Sequence, residues 1–255
     1  MSAPHDIGND RRPAFPWLVL VLGLAALAVL LSLGTWQVNR LQWKEALIET
    51  INQRIASEPR PLSEVERVHA ETGEVDYWPV SLSGTFHHER ESHFLATWKG
   101  TAGYFVYTPL ELADGRFVLV NRGFVPFDRK EPATRPEGQV EGVVEITGLA
   151  RDRLTEKPSS LVPGNDLAKN VFYWKDMSAM AARAGIDPAR LVPFFVDAGP
   201  AENPGGLPQG GVTLVDMPNN HLQYAVTWYG LAAALVAVLF FFIRGRLRTG
   251  PDPRP

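Results

Sequence analysis

Residues 217–243 read MPNNHLQYAVTWYGLAAALVAVLFFFI, and no residue among them carries a formal charge. The helical part, residues 222–243, is long enough at about 1.5 Å per residue to cross a hydrocarbon core of about 30 Å. The stretch therefore predicts a transmembrane helix. Three arginines follow it directly, and Asp216 precedes it. Because Lys and Arg are enriched in cytoplasmic loops, we expect the tail over residues 244–255 to be cytoplasmic.

A second uncharged run, residues 17–33, lies near the other end of the chain. We expect a transmembrane helix over residues 15–36, preceded by a cytoplasmic tail over residues 1–14 that contains Arg11 and Arg12. A cleavable signal peptide shares this pattern, but the length of the run and the lack of a clear small-residue cleavage site favour a retained helix. With both helices retained, the segment between them faces the opposite compartment.

Apolar residues keep helical spacing over residues 37–56, and no Gly or Pro interrupts them. We therefore expect the first helix to continue outward until Pro59 and Pro61 stop it. Residues 57–216 then form a domain of ordinary size. Residues 56–216 carry 16 basic and 23 acidic side chains, whereas the two flanks carry 9 basic and 5 acidic ones. An acidic domain between basic tails argues against a nucleic-acid partner and fits an inner-membrane protein.

Short segments rich in β-branched and aromatic residues predict strands within this domain. They are residues 77–86, 92–98, 104–112, 116–126, 140–149, 191–198 and 211–216. Asp114 and Gly115 give the strongest hairpin signal. A helix is expected over residues 62–69, with Ser63 as N-cap. A second helix is expected within residues 172–185, capped around Asp176 or Ser178 and closed by Gly185. The predicted fold is two transmembrane α-helices flanking an α+β extracytoplasmic domain with a mainly antiparallel, barrel-like sheet.

The sequence contains no cysteine. This excludes disulfide bonds, thiolate copper sites, iron–sulfur clusters and covalently attached c-type haem. The short N-terminal tail contains Asp6 and Asp10, whereas a mitochondrial transit peptide is longer and poor in acids. We therefore expect a multi-pass protein of the bacterial inner membrane, with both termini cytoplasmic and the central domain periplasmic.

No phosphate-binding loop, dinucleotide-binding fingerprint, HExxH motif or GxSxG motif occurs in the sequence. The segment HHERESH, residues 87–93, contains three histidines that could meet at a metal ion. Because no further ligand is fixed at metal-binding spacing, exposed polar residues at a bend between strands are the favoured interpretation.

His221 lies where the outward domain meets the second membrane helix, with Tyr224 and Trp228 on its face at i+3 and i+7. A neutral imidazole in this setting suits the axial position of a haem iron, although a capping or interfacial hydrogen bond is the alternative. Trp36 and Trp43 flank Arg40 near the end of the first membrane helix, which is also typical of an interfacial aromatic belt.

Small residues recur four positions apart in both membrane helices, at Gly230 and Ala234 and at Ala28 and Ser32. Such spacing is typical of helix–helix contact surfaces in membranes.

Four segments carry a resemblance to a known family. They are GTWQVNRLQWKEALIETINQR, VSLSGTFHHE, GYFVYTPLELADGRFVLVNRGFVP and PNNHLQYAVTWYGLAAA. In their order and their two-helix topology they resemble the surfeit-locus-protein-one family of cytochrome c oxidase assembly factors. The resemblance implies a biogenesis factor for haem–copper oxidases that binds haem a non-covalently and helps to place it in the catalytic subunit.

The haem-associated histidine of that family falls on His221. Trp36, Gln37 and Arg40 match its pattern at the end of the first helix, and Arg122 lies in its VNRG segment. Phe124 stands where many members carry Trp. Our hypothesis is that Arg40 pairs with the haem propionates, because a guanidinium binds carboxylates in a bidentate manner.

The expected partners are the oxidase catalytic subunit, other assembly factors and the membrane. A cofactor-free scaffold that holds an assembly intermediate is the alternative function. A membrane-tethered enzyme is disfavoured because the sequence contains no catalytic constellation.

Overall fold

The computed structural model describes residues 17–213 and 218–248. It divides the chain into a helical unit, formed by Met1–Ile48 and Met217–Pro255, and a sheet domain, Glu49–Asp216. The two units are described separately below.

The chain has two long apolar helices, α1 over Trp17–Ile55 and α4 over His221–Arg248, and the last turns of α1, from Glu49 onward, belong to the sheet domain. Both are long and apolar enough to cross a membrane, which supports a membrane protein. The prediction that the first helix continues without a break to about residue 56 is confirmed. The helix ends just before Pro59, as expected from the missing N–H of proline.

Large side chains of α4 lie against glycines of α1. A Cβ atom at Gly34 would lie 2.9 Å from the ring of Tyr229, and one at Gly23 would lie 2.8 Å from Leu239. The small residues spaced four apart indicated that a close approach of the two helices is possible, and such an approach occurs at Gly34 and Gly23. Among the described residues, no atom lies within 4 Å of a Cβ built at Gly230. The other small residues of that pattern are exposed, namely Ala28, Ser32, Ala233, Ala234 and Ala237.

Between α1 and residue 213, the described part of the sheet domain contains seven strands and two α-helices. The strands are β1 Arg60–Pro61, β2 Pro79–Phe86, β3 Ser92–Trp98, β4 Thr101–Glu111, β5 Phe117–Pro126, β6 Val143–Asp152 and β7 Leu191–Ala198. The helices are α2 Leu62–Thr72 and α3 Met177–Arg183. Six of the predicted strands and the hairpin at Asp114 and Gly115 are confirmed.

Five of these strands close into a barrel. The neighbours run β2, β6, β7, β5 and β4, and β4 returns to β2 through the pairs Thr85 with Glu111 and Phe86 with Leu110. The β5–β7 pair is parallel and the other four pairs of the ring are antiparallel. The predicted α+β domain with a mainly antiparallel, barrel-like sheet is therefore confirmed.

Residues along β5 alternate between two cores, because successive side chains of a strand point to opposite faces. Val118 and Val120 belong to a cluster with residues from all five barrel strands, so this cluster is the barrel interior. Phe117 and Leu119 belong to a second cluster, which α3 covers on the outer face of the sheet. Helix α2 packs against the first cluster through Val65.

The helix predicted within residues 172–185 is confirmed, and Asp176 is its N-cap, because its carboxylate accepts a hydrogen bond from the Ala179 N–H at 2.9 Å. Two other local predictions need correction. The residue before α2 is Pro61, with no side-chain cap, so Ser63 is not the N-cap. Residues 211–213 are not a strand, and the remainder of that predicted strand, residues 214–216, lies outside the described residues.

Candidate functional site

His221 is the first residue of α4, and its imidazole meets α1. The Nδ1–H of the half-buried His221 donates a hydrogen bond to Oε1 of Gln37 at 2.7 Å. Gln37 is only 9% exposed. For a neutral ring, an amide oxygen on Nδ1 selects the tautomer in which the proton is on Nδ1 and the lone pair is on Nε2. Among the described residues, none hydrogen-bonds to Nε2. Within the described residues, Nε2 therefore remains available as an acceptor.

A second polar contact supports this arrangement two turns further along α4. The hydroxyl of Tyr229 lies 3.1 Å from Oγ1 of Thr35. The Tyr229 ring occupies the space left by the missing side chain of Gly34, which is buried. Because Gly34 and Thr35 lie within one turn of Gln37, these contacts hold α1 in register with α4. They keep Gln37 opposite His221.

The other predicted site residues on α1 lie on a different face. Trp36, Arg40 and Trp43 follow one another at i, i+4 and i+7, and all three are exposed. The guanidinium carbon of Arg40 lies 4.1 Å from the ring centroid of Trp43, within the range of a cation–π contact. Within the described parts of the chain, no hydrogen bond or ring contact joins Trp36 or Arg40 to His221.

The two aromatic residues predicted for the site on α4 differ in their exposure. Trp228 is half-buried, and Ala225, one turn after His221, is buried. Tyr224 is 54% exposed, so its ring lies at the edge of the helix face on which His221 is the first residue. The structure thus brings Gln37 to His221, whereas Trp36, Arg40 and Tyr224 present their side chains on the outer surface of the helices. Their proposed contacts with a cofactor stay a prediction.

The three histidines of residues 87–93 do not converge. His87 pairs with Glu111, with 2.7 Å between Nε2 and Oε2. The Nε2–H of His88 donates to the carbonyl oxygen of Val140 at 2.9 Å. Across residues 17–213 and 218–248, no group of three acidic or histidine side chains is placed to hold a metal ion.

His93 is buried, so the interpretation of all three histidines as exposed polar residues is wrong at this position. Its Nε2–H donates to the carboxylate of Glu91 at 2.9 Å, and its Nδ1 accepts from the amide of Asn170 at 2.9 Å. Arg135 also pairs with Glu91, and both of these charged side chains are almost fully buried. This network joins β3 to two loops and is structural.

Arg122 is a buried charge on β5, in the VNRG segment. Its Nη1–H donates to Nδ1 of His88 at 3.1 Å, and its Nη2 donates to the carbonyl oxygen of Gly138 and to Oδ1 of Asn203. Burial, together with the charge of the neighbouring Arg135, lowers the pKa of the Arg122 guanidinium to about 10, although Glu91 opposes this shift. Arg122 is therefore charged at neutral pH although it lies in a poorly solvated place.

The comparison with known families decides the identity of the chain. A model of the SURF1 family matches residues 24–233, which include both Gln37 and His221. The chain belongs to the SURF1 family. This membership implies a role in cytochrome c oxidase assembly, and it confirms the resemblance drawn from the sequence motifs.

Individual SURF1 relatives match most of the chain. Surfeit locus protein 1 of Xenopus tropicalis is 40% identical over 243 residues, which are 89% of this chain and 75% of the relative. The Homo sapiens protein of the same name is 37% identical over 248 residues, covering 90% and 78%. A SURF1-like protein of Monosiga brevicollis is 36% identical over 270 residues, covering 99% and 98%.

Gln37 is the residue that sequence reasoning left out of the candidate site. It was grouped with Trp36 and Arg40 by motif, but its role as the partner of His221 was not predicted. The sequence does contain a signal for this role, because Gly34, Gln37 and Leu41 recur at helical spacing and therefore lie on one face of α1. An uncharged amide on such a face needs a partner on the neighbouring helix.

Proposed function

We propose that this SURF1 family member binds haem a through Nε2 of His221 and assists its insertion into the catalytic subunit of a haem–copper oxidase. The hydrogen bond from Nδ1 of His221 to Gln37 carries this proposal. Histidines that bind metals regularly donate their second ring N–H to an oxygen, which orients the ring and makes the binding nitrogen more basic. Gln37 supplies such an oxygen.

The surroundings of His221 also suit a haem. Only 6% of the most apolar window of each long helix is buried, so apolar surface is available for a porphyrin. Tyr224 and Trp36 are more than half exposed and offer aromatic faces. Arg40 offers a guanidinium to propionates. Haem, when bound, would supply an iron centre, and His221 would supply the imidazole nitrogen that holds it.

The proposal includes a location and partners. The helices span a bacterial inner membrane with both tails cytoplasmic, so the sheet domain is periplasmic, where it contacts the oxidase catalytic subunit and other assembly factors. The protein acts as a carrier and carries out no catalysis of its own. Reporter fusions after residue 255 and within residues 129–138 test the topology. The proposed topology requires activity of a cytoplasmic reporter only at the first position and of a periplasmic reporter only at the second.

The decisive experiment is purification from a membrane that makes haem a, followed by visible spectroscopy. We expect the wild-type protein to carry haem a and His221→Ala to lose most of it. His69→Ala is the matched control, because His69 packs on Phe194 in the sheet domain and should leave the haem content unchanged.

Two outcomes contradict the proposal. A wild-type protein that contains no haem a would favour the cofactor-free scaffold. An unchanged haem content in His221→Ala would place the cofactor elsewhere in the protein.

A further inference from the structure

Among the described residues, no carboxylate is bonded to the buried Arg122. The side chain is 2% exposed, and the acceptors of its hydrogen bonds, on His88, Gly138 and Asn203, are all uncharged. Its buried Nε–H has no hydrogen-bond partner in the described part of the chain. By contrast, Arg135 pairs with Glu91.

Arg151, like Arg135 and unlike Arg122, has carboxylate partners. Its Nε–H donates to Asp76 at 3.0 Å, and its Nη1 lies 3.7 Å from Asp197. A buried charge without a counterion costs several kcal/mol, so the arrangement around Arg122 is incomplete as it stands.

The same arginine lines a cavity of about 190 Å³ between β6 and the loop that contains Asn203. At about 30 Å³ per water molecule, this space corresponds to roughly six waters. Phe86 lies beside Arg122, with its ring centroid 4.8 Å from the guanidinium carbon. Val144 and Ile146 add further apolar wall.

We propose that this cavity is a binding site for a monocarboxylate with a short apolar stem, held by the guanidinium of Arg122. A carboxylate provides the charge-assisted acceptor that the Nε–H lacks. The apolar walls accommodate the stem. The exposed Glu145 and Glu202 also line the cavity and disfavour a dianion such as phosphate through like-charge repulsion.

His88 does not provide positive charge for a bound carboxylate. Its Nε2–H donates to Val140, so its Nδ1 is an acceptor that receives a hydrogen bond from Arg122. Burial is the largest cause of a lowered pKa for His88, which keeps the ring neutral near pH 7. Arg122 is therefore the one cationic side chain among the lining residues of the cavity in the described part of the chain.

The test uses the full chain in detergent micelles, labelled with ¹⁵N-arginine, and follows the side-chain Nε–H resonances by NMR. We expect butyrate to move the Arg122 Nε–H proton downfield in a saturable manner. Butyramide, which has the same shape without the charge, and phosphate should leave it in place. The Arg151 Nε–H, already bonded to Asp76, is the internal reference.

The Arg122→Lys variant identifies the Arg122 Nε–H resonance, because that signal is missing from its spectrum. If this variant does not fold, Asn203→Ala identifies the resonance instead, because the loss of one hydrogen-bond partner of Arg122 shifts it. Ala201→Trp fills the cavity and should weaken the response to butyrate at least tenfold, whereas Ala168→Trp, an equally exposed position elsewhere, should not.

Three results would overturn the inference. The first is the absence of a saturable shift with butyrate. The second is an equal shift with phosphate, which would contradict selection of a monoanion. The third is an upfield shift of the ligand-free Arg122 resonance in Glu145→Gln or Glu202→Gln, which would show that the chain's own carboxylate fills the site. None of these results depends on haem binding.

Discussion

Replacing Gln37 with leucine tests whether Gln37 sets the tautomer of the His221 ring. The change keeps the side chain close in size, but it removes the oxygen that accepts the Nδ1–H of His221 at 2.7 Å. A neutral hydrogen bond of this kind contributes about 0.5–1.5 kcal/mol, which corresponds to a roughly 2- to 13-fold change in the ratio of the two imidazole tautomers. We expect Gln37→Leu to shift the population by that factor toward the Nε2–H form.

The tautomer ratio can be measured without any cofactor. Long-range ¹H–¹⁵N spectra of protein labelled at histidine distinguish a protonated ring nitrogen from one with a lone pair. Wild-type His221 should show its proton on Nδ1. Gln42→Leu is the matched control, because Gln42 lies on the same helix but is exposed, and this variant should resemble the wild type.

Haem titration then links the tautomer to function. Loss of an outer hydrogen-bond partner typically lowers metal affinity by about 10- to 100-fold, so Gln37→Leu should weaken haem binding by a factor in that range. Gln37→Glu retains an acceptor and should bind at least as tightly as the wild type. An unchanged tautomer ratio and haem affinity in Gln37→Leu would refute the role assigned to Gln37.

Three further predictions concern the sheet domain and are measured on the full chain. Arg135→Met leaves the buried carboxylate of Glu91 without its cationic partner and should lower the unfolding free energy by about 3–5 kcal/mol in urea titrations; a loss below about 1 kcal/mol would contradict this. Because burial holds the pKa of His88 below 6.5, the unfolded chain takes up its proton first as pH falls. Stability should therefore drop as pH decreases below 6.5, and a His88→Gln variant that keeps the full wild-type slope would exclude His88 as the cause. Gly123→Ala should lower the thermal unfolding midpoint measured by circular dichroism, because Gly123 has φ +127° and a Cβ there would lie 1.9 Å from the carbonyl oxygen of Gln209; an unchanged midpoint would contradict that clash.

Local sequence signals predicted the parts of this fold that depend on interactions between residues close together in the chain. The absence of Gly and Pro after Gly34 indicated one continuous helix to residue 55, and Asp114 with Gly115 fixed the β4–β5 hairpin. Closure of the barrel was expected only as a general shape. The parallel β5–β7 pair joins strands that are far apart in sequence, and no pattern within either strand specifies its neighbour.

The errors at the candidate sites have a common physical origin, because burial depends on the tertiary neighbours of a side chain. His93 lies in a polar segment, yet Glu91 and Asn170 satisfy its ring nitrogens inside the domain. The motif around His221 identified the histidine, whereas its partner on α1 became evident only from the packing of the two helices.

Resonance Raman spectroscopy of the ferrous protein, purified with haem a and labelled with ¹⁵N-histidine, tests the central claim most directly. The proposed bond between iron and Nε2 of His221 should give an iron–nitrogen stretching band that shifts on ¹⁵N labelling and disappears in His221→Ala. If that isotope-sensitive band persists in His221→Ala, another histidine binds the iron and the proposed site is wrong.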